Sequence, residues 1–137
     1  MSSKRVDGFF YGLFMDVALL KTSGVMAENP RKAYVDGYSL RIGNRATLVP
    51  AEQGRAYGMV LALTHGELDV LYGGPGLENY RPEALQATLM DGGSLPALCY
   101  NLLEAPAEHE RNDAYAAKLR EALDSLGFPA DYVASVC

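Results

Sequence analysis

Val6-Asp7-Gly8-Phe9-Phe10-Tyr11 runs directly into Gly12-Leu13-Phe14-Met15-Asp16, and this stretch decides how the chain begins to fold. The first six residues read as a strand. Gly12 breaks it, and the next four lead into a short helical pattern. A strand that ends on a glycine turn just before a helix leaves several backbone N–H groups without partners. Such groups hold a carboxylate or phosphate without a charged side chain. Taken alone, the segment is either a tight strand-to-helix connection or an anion cradle.

Outward from this turn, Asp16 to Lys21 reads as one short helix stopped by Ser23-Gly24. Lys32 to Ile42 alternates loosely and reads as a long strand. Gly43-Asn44 marks a turn or bulge. Ala46-Thr47-Leu48-Val49 reads as a short strand ended by Pro50, with a turn at Glu52-Gln53-Gly54. Arg55 to Leu63, small and branched, is the next strand. Thr64-His65-Gly66-Glu67 has the T-x-x-E form of a capping box, so a helix of about two turns starts there and reaches Leu71 or Tyr72. Gly73-Gly74-Pro75-Gly76 is irregular: an ordered connector or a lid over a pocket. Pro82 to Leu89 and Leu95 to Leu103 form a hairpin around Asp91-Gly92-Gly93. Beyond Pro106, Tyr115, Leu119, Ala122, Leu123 and Leu126 fall at helical spacing, closed by Gly127. A last short helix follows Phe128-Pro129, with Tyr132 facing the body.

The expected architecture is α+β: a small mixed, mostly antiparallel sheet with flanking helices, in which hairpins outweigh parallel crossovers. All 137 residues fit one domain, 1–137, with the C-terminal helices from about residue 107. Hydrophobic content of 49% and charged content of 21% are globular values. No apolar run is long enough to span a bilayer, and the start, Met1-Ser2-Ser3-Lys4-Arg5, leads into no signal peptide. A net charge of −5 argues against nucleic acid, and Arg41 and Arg45 are too few to make a basic face. Of the two cysteines, Cys99 reads as a buried thiol and Cys137 as exposed; the simplest compartment is a reducing cytoplasm.

Motifs for several chemistries are missing. The two histidines, His65 and His109, lie far apart in a chain without H-x-x-x-H or C-x-x-C, so no metal is expected. There is no G-x-S-x-G elbow, and the glycine run at 73–76 lacks the Lys-Ser/Thr of a phosphate loop.

Several segments together resemble the gamma-glutamylcyclotransferase superfamily, which includes gamma-glutamylamine cyclotransferases and plant avirulence-induced-gene-like proteins. Phe9-Phe10-Tyr11-Gly12-Leu13-Phe14-Met15 looks like its Y-G-S-N or Y-G-x-L signature. Gly37 to Asn44 is similar to the second-strand segment, and Ala56 to Leu63 to the V-x-G-V-V-Y-x-L strand. Leu68-Asp69-Val70-Leu71-Tyr72-Gly73, with Tyr80, falls on L-D-x-x-E-G…Y. Ala105-Pro106 and Phe128-Pro129-Ala130-Asp131-Tyr132 resemble the tail of some members. The resemblance spans nearly the whole chain.

It implies a barrel-like fold around one cavity, needing no cofactor. The Tyr11, Gly12, Leu13, Phe14 and Met15 loop would hold the α-carboxylate of a gamma-glutamyl substrate, with Tyr80 and Tyr100 lining the pocket. The implied reaction is intramolecular: the substrate's α-amine attacks its own γ-carbonyl and releases 5-oxoproline. That step needs a base, because an α-ammonium is not a nucleophile. The family's base is a glutamate; here Tyr72 stands in its place, and a phenol with a pKa of about 10 is a poor base at neutral pH. Glu83 on the strand and Glu78 in the loop are the candidate substitutes, whereas Glu67 belongs to the capping box. Two functions follow: a cyclotransferase with a relocated carboxylate, or a diverged member that binds an anionic small molecule or a protein partner. The expected partner is a small gamma-glutamyl or other carboxylate ligand, with neither nucleic acid nor membrane involved, and the protein a monomer or homodimer.

Overall fold

The computed structural model describes residues 4–137; Met1, Ser2 and Ser3, the start of the basic N-terminal stretch, lie outside the described residues. Five strands close into a barrel in the order β1-β3-β2-β4-β5. They are β1 (Arg5–Phe10), β2 (Glu28–Ile42), β3 (Ala46–Thr64), β4 (Tyr80–Leu89) and β5 (Ser94–Leu102). All neighbouring pairs are antiparallel except β1 with β5, which meet in parallel at Gly8↔Leu98 and close the ring. Outside the barrel lie α1 (Val17–Thr22), α2 (His65–Tyr72), α3 (Asp113–Ser125) and α4 (Ala130–Ser135). The α+β, mostly antiparallel barrel expected from the sequence is the observed architecture.

Local signals place most elements. Asp16 is the N-cap of α1, its carboxylate accepting from Ala18 and Leu19 N–H, so the helix begins one residue later than expected, after a 3-10 turn over Leu13–Met15. The Thr64 capping box forms as read: Thr64 Oγ1 accepts from Glu67 N–H at 3.1 Å, and the Glu67 carboxylate from Thr64 N–H at 2.9 Å. On α3 the buried stripe is Ala116, Leu119 and Leu123. It packs on a core that includes Phe9, Val35, Leu61 and Leu63, each at most 1% exposed. Truncating one such leucine to alanine costs about 2–5 kcal/mol.

The one substantial correction concerns residues 46–64. Pro50 and the Glu52-Gln53-Gly54 turn were expected to divide two strands, yet the chain runs as a single strand. The register with β2 shifts between Asp36↔Arg55 and Tyr38↔Pro50, so the extra residues of β3 form an irregularity inside one long ribbon. Proline is tolerated at such a bulge. Gly54 is required there by close approach, since a Cβ would sit 2.4 Å from the Tyr38 carbonyl oxygen. Strand β2 likewise begins earlier than read, at Glu28 rather than Lys32.

Cys99 is buried and Cys137 exposed. No helix among the described residues is long and apolar enough to cross a membrane.

Candidate functional site

Four tyrosines from separate elements converge where β1 ends and α2 stops. Tyr11, just past β1, sends its hydroxyl to the Tyr100 carbonyl at 2.7 Å. Tyr80, the first residue of β4, donates its hydroxyl to the Ala46 carbonyl. Tyr72, the last residue of α2, stacks on Tyr100 with ring centres 4.1 Å apart and planes 9° from parallel. Its edge meets Phe14 at 5.5 Å, and Tyr80 lies 5.7 Å away. Tyr115 arrives from the first turn of α3, and its hydroxyl oxygen accepts the Leu13 N–H at 3.1 Å. Gly12 makes that approach possible: a Cβ there would lie 2.3 Å from the Tyr115 hydroxyl.

Together these groups enclose a cavity of about 350 Å³. That is a small member of the ligand-pocket range of about 300–1,000 Å³. Its wall includes Tyr11, Gly12, Leu13 and Phe14 from the turn, then Tyr72, Tyr80 and Tyr115, with Arg45, Leu19 and Leu77. Met15, grouped with this loop by its sequence, turns inward to the core instead and is 1% exposed. Tyr100 supports the cavity from behind, as the platform beneath Tyr72 and the acceptor for Tyr11.

Burial dominates the electrostatics. It pushes the hydroxyls of Tyr11 and Tyr72 well above the ordinary phenol value, raises Tyr115, and takes Tyr80 to about 12. A phenol of pKa about 10 is ionised only about once in a thousand at pH 7, and these are scarcer still as phenolates. Tyr72 is therefore a neutral hydroxyl, able to donate or accept a hydrogen bond but not to take up a proton.

Among the described residues no aspartate or glutamate lines the cavity. Glu78 is exposed in the 73–79 loop, where the nearby backbone N–H groups of Glu78 and Gly76 and the Arg45 charge hold its carboxyl below the usual range. Glu83 sits on β4 opposite Cys99 in register and accepts a hydrogen bond from the Asn101 amide, away from the cavity wall. Glu67 is spent on structure: besides the capping box it accepts from Met26 N–H at 2.8 Å and pairs with Arg5 at 3.0 Å. Among the described residues no three His, Cys, Asp or Glu side chains gather as a metal would require.

Among the wall residues not legible as site residues are Tyr115, which reads as one more member of a helical core stripe, and Arg45, which reads with Arg41 as a pair too small for a basic face. Arg45 lines the cavity and makes no ion pair among the described residues. Its guanidinium packs against Gly76, whose φ of +84° and lack of a side chain admit it; a Cβ would lie 2.1 Å from Nη2.

No family model matches the sequence, and no curated protein matches it. Solved structures do match. YkqA from Bacillus subtilis superposes with a TM-score of 0.78 at 22% identity, over 95% of this chain and 52% of that one; the chain thus spans about half the length of that protein. A gamma-glutamyl cyclotransferase gives a TM-score of 0.78 at 14% identity, over 97% of this chain and 86% of the other. The yeast gamma-glutamyl cyclotransferase specific to glutathione gives 0.67 at 13%, over 98% and 94%. Identities this low bear on the backbone rather than the chemistry. The fold of this chain is that of the gamma-glutamylcyclotransferase-like proteins.

Proposed function

We propose that the cavity binds a small carboxylate-bearing molecule, its anionic end toward Arg45 and the Gly12–Phe14 turn, and holds that ligand without cyclising it. The observation that carries this reading is the composition of the wall: one guanidinium, several neutral phenols and no carboxylate. A guanidinium that makes no ion pair among the described residues, with Glu78 nearby but outside the wall, and that lines a largely apolar cavity favours an anion. Cyclisation of a gamma-glutamyl compound requires the α-ammonium to lose a proton, the nitrogen to bond to the γ-carbon, and the C–N bond to the departing amine to break with a proton returned to that amine. Nothing on the wall accepts the first proton, because Tyr72 is neutral and held so by burial.

The likeness of fold to two gamma-glutamyl cyclotransferases favours a second reading, cleavage of a gamma-glutamyl amide or peptide to 5-oxoproline. It requires Glu78 to leave the backbone N–H groups it now occupies and turn inward. Incubation of the protein with glutathione and a gamma-glutamyl dipeptide panel separates the readings. The expected result is no 5-oxoproline, with calorimetric binding of small carboxylates that weakens in Arg45→Ala. Formation of 5-oxoproline that disappears in Glu78→Gln overturns the binding reading in favour of the second. Carboxylate binding indifferent to Arg45→Ala overturns the placement of the anionic end.

A further inference from the structure

This inference rests on the carboxylate reading and narrows the ligand. We infer that the cavity selects carboxylates with an apolar or aromatic body and no free ammonium, such as aryl-alkanoic acids or N-acylated amino acids, over zwitterionic amino acids and gamma-glutamyl compounds.

Three observations carry it. The first is charge. Among the described residues Arg45 is the only charged one on the wall, with Glu78 near it but outside the wall, so within the cavity a carboxylate finds a partner and an ammonium a like charge. The second is the state of the oxygen acceptors. The Ala46 carbonyl already receives the Tyr80 hydroxyl. The Tyr100 carbonyl receives Tyr11, and the Asn112 side-chain oxygen receives the Tyr115 N–H at 3.1 Å. An ammonium entering here gives up three hydrogen bonds to water, while the Ala46 carbonyl and the Asn112 side-chain oxygen on the wall already have donors, so burying the cation is costly. The third is the aromatic surface. Open ring faces attract cations, but one face of Tyr72 is covered by Tyr100 and its surroundings are closed by Phe14 and Tyr80. What remains is apolar lining from Phe10, Leu13, Phe14, Leu19 and Leu77, which suits a hydrocarbon body.

A cavity of about 350 Å³ accommodates a phenyl ring with a short alkanoate chain.

The test uses the full chain and three probes of one skeleton: 3-phenylpropionate, L-phenylalanine and phenethylamine, titrated calorimetrically at pH 7. The expected result is that 3-phenylpropionate binds about tenfold or more tightly than phenylalanine, and that phenethylamine gives no binding heat. Arg45→Ala should weaken 3-phenylpropionate about tenfold, and Arg45→Lys, which keeps the charge, should restore most of it. Phenylalanine binding as tightly as 3-phenylpropionate, with dependence on Arg45, overturns the selectivity while leaving the carboxylate site intact. Phenethylamine binding as well as the acid overturns the selectivity and the sign of the site. Binding of gamma-glutamyl dipeptides but not of 3-phenylpropionate overturns the inference alone. Absence of binding by every carboxylate overturns it together with the reading on which it rests.

Discussion

At its N-terminal end α2 surrounds one carboxylate with donors, and at its C-terminal end, two turns away, it closes a cavity that has none. Glu67 accepts from Thr64 and Met26 N–H and from Arg5, so its charge is fully used in tying β1, the 26–27 segment and the helix start together. Tyr72 sits among Tyr100, Phe14 and Tyr80, where burial keeps it neutral. The difference teaches where this chain spends its acids. Glu67, Glu78 and Glu83 each have a backbone or side-chain donor of their own, and the cavity is left to aromatic rings and a single guanidinium.

Exchanging the chemistry of the two ends should have the largest effect. Tyr72→Glu places a carboxyl among rings with no donor but neighbouring phenols, at a cost of about 2–4 kcal/mol when it is ionised. Burial raises such a carboxyl above its unfolded value. Near pH 4 the variant should therefore carry only the cost of the lost ring packing, and it should lose further stability as the pH rises through the raised value. Thermal unfolding at pH 4 and pH 8 checks this; an equal deficit at both would mean that water reaches this end of the helix. The same variant, given gamma-glutamyl dipeptides, asks whether the cavity lacks only a base. The appearance of 5-oxoproline would show that the rest of the site is competent, and continued inactivity would show that the walls have diverged as well.

Glu67→Ala comes next, at about 2 kcal/mol, because it strips the partly buried Thr64 N–H, the exposed Met26 N–H and the Arg5 guanidinium of one acceptor at once. Urea denaturation measures it, and a loss below about 0.5 kcal/mol would mean that water replaces the carboxylate, making this end no more tightly built than an ordinary exposed cap. Gly12→Ala is a smaller intrusion on the cavity side, about 1–2 kcal/mol, because the new methyl collides with the end of a single side chain. Tyr115→Phe should cost less by itself and recover part of the loss in the double variant, since it removes the atom that the methyl meets. A double-mutant cycle in unfolding free energy reads this coupling, and strict additivity would mean that Tyr115 has already moved aside.

How much of this was readable in the sequence follows from the range of the interactions. The capping box, the Asp91-Gly92-Gly93 hairpin and the α3 stripe rest on neighbours within a few residues; the first two formed where they were read, and α3 buries Leu119 and Leu123 of its stripe together with Ala116. Strand β3 did not. Pro50 and Gly54 are breaking signals locally, but pairing with β2 absorbs them in a bulge, and no short window holds that information. The cavity is a sharper case. The Gly12 turn and the neutral residue at Tyr72 were visible, as was the missing acid, whereas Tyr115 and Arg45 join the wall only because α3 and the start of β3 are folded onto it. Glu83 shows the same limit from the other side: the strand was legible, but its partner Asn101 lies on β5.

The smallest effect is a pH dependence at the structural end, and its sign follows from Glu67. Burial acts to raise this carboxyl, but the hydrogen bonds from Thr64 and Met26 and the Arg5 charge outweigh it and hold it below its ordinary 4.5. A carboxyl whose native value is depressed contributes stability that is complete above the unfolded value and is lost as the pH falls through the native one. Wild-type unfolding free energy should therefore decline below about pH 4.5 more steeply than that of Glu67→Gln, which has no charge to lose. Denaturant titrations from pH 6 down to pH 3 supply the two curves. Parallel curves would remove Glu67 as a charged anchor and leave only its hydrogen bonds, which glutamine keeps in part. Converging curves would establish that the charge itself holds this end of α2, in contrast to the neutral end that faces the cavity.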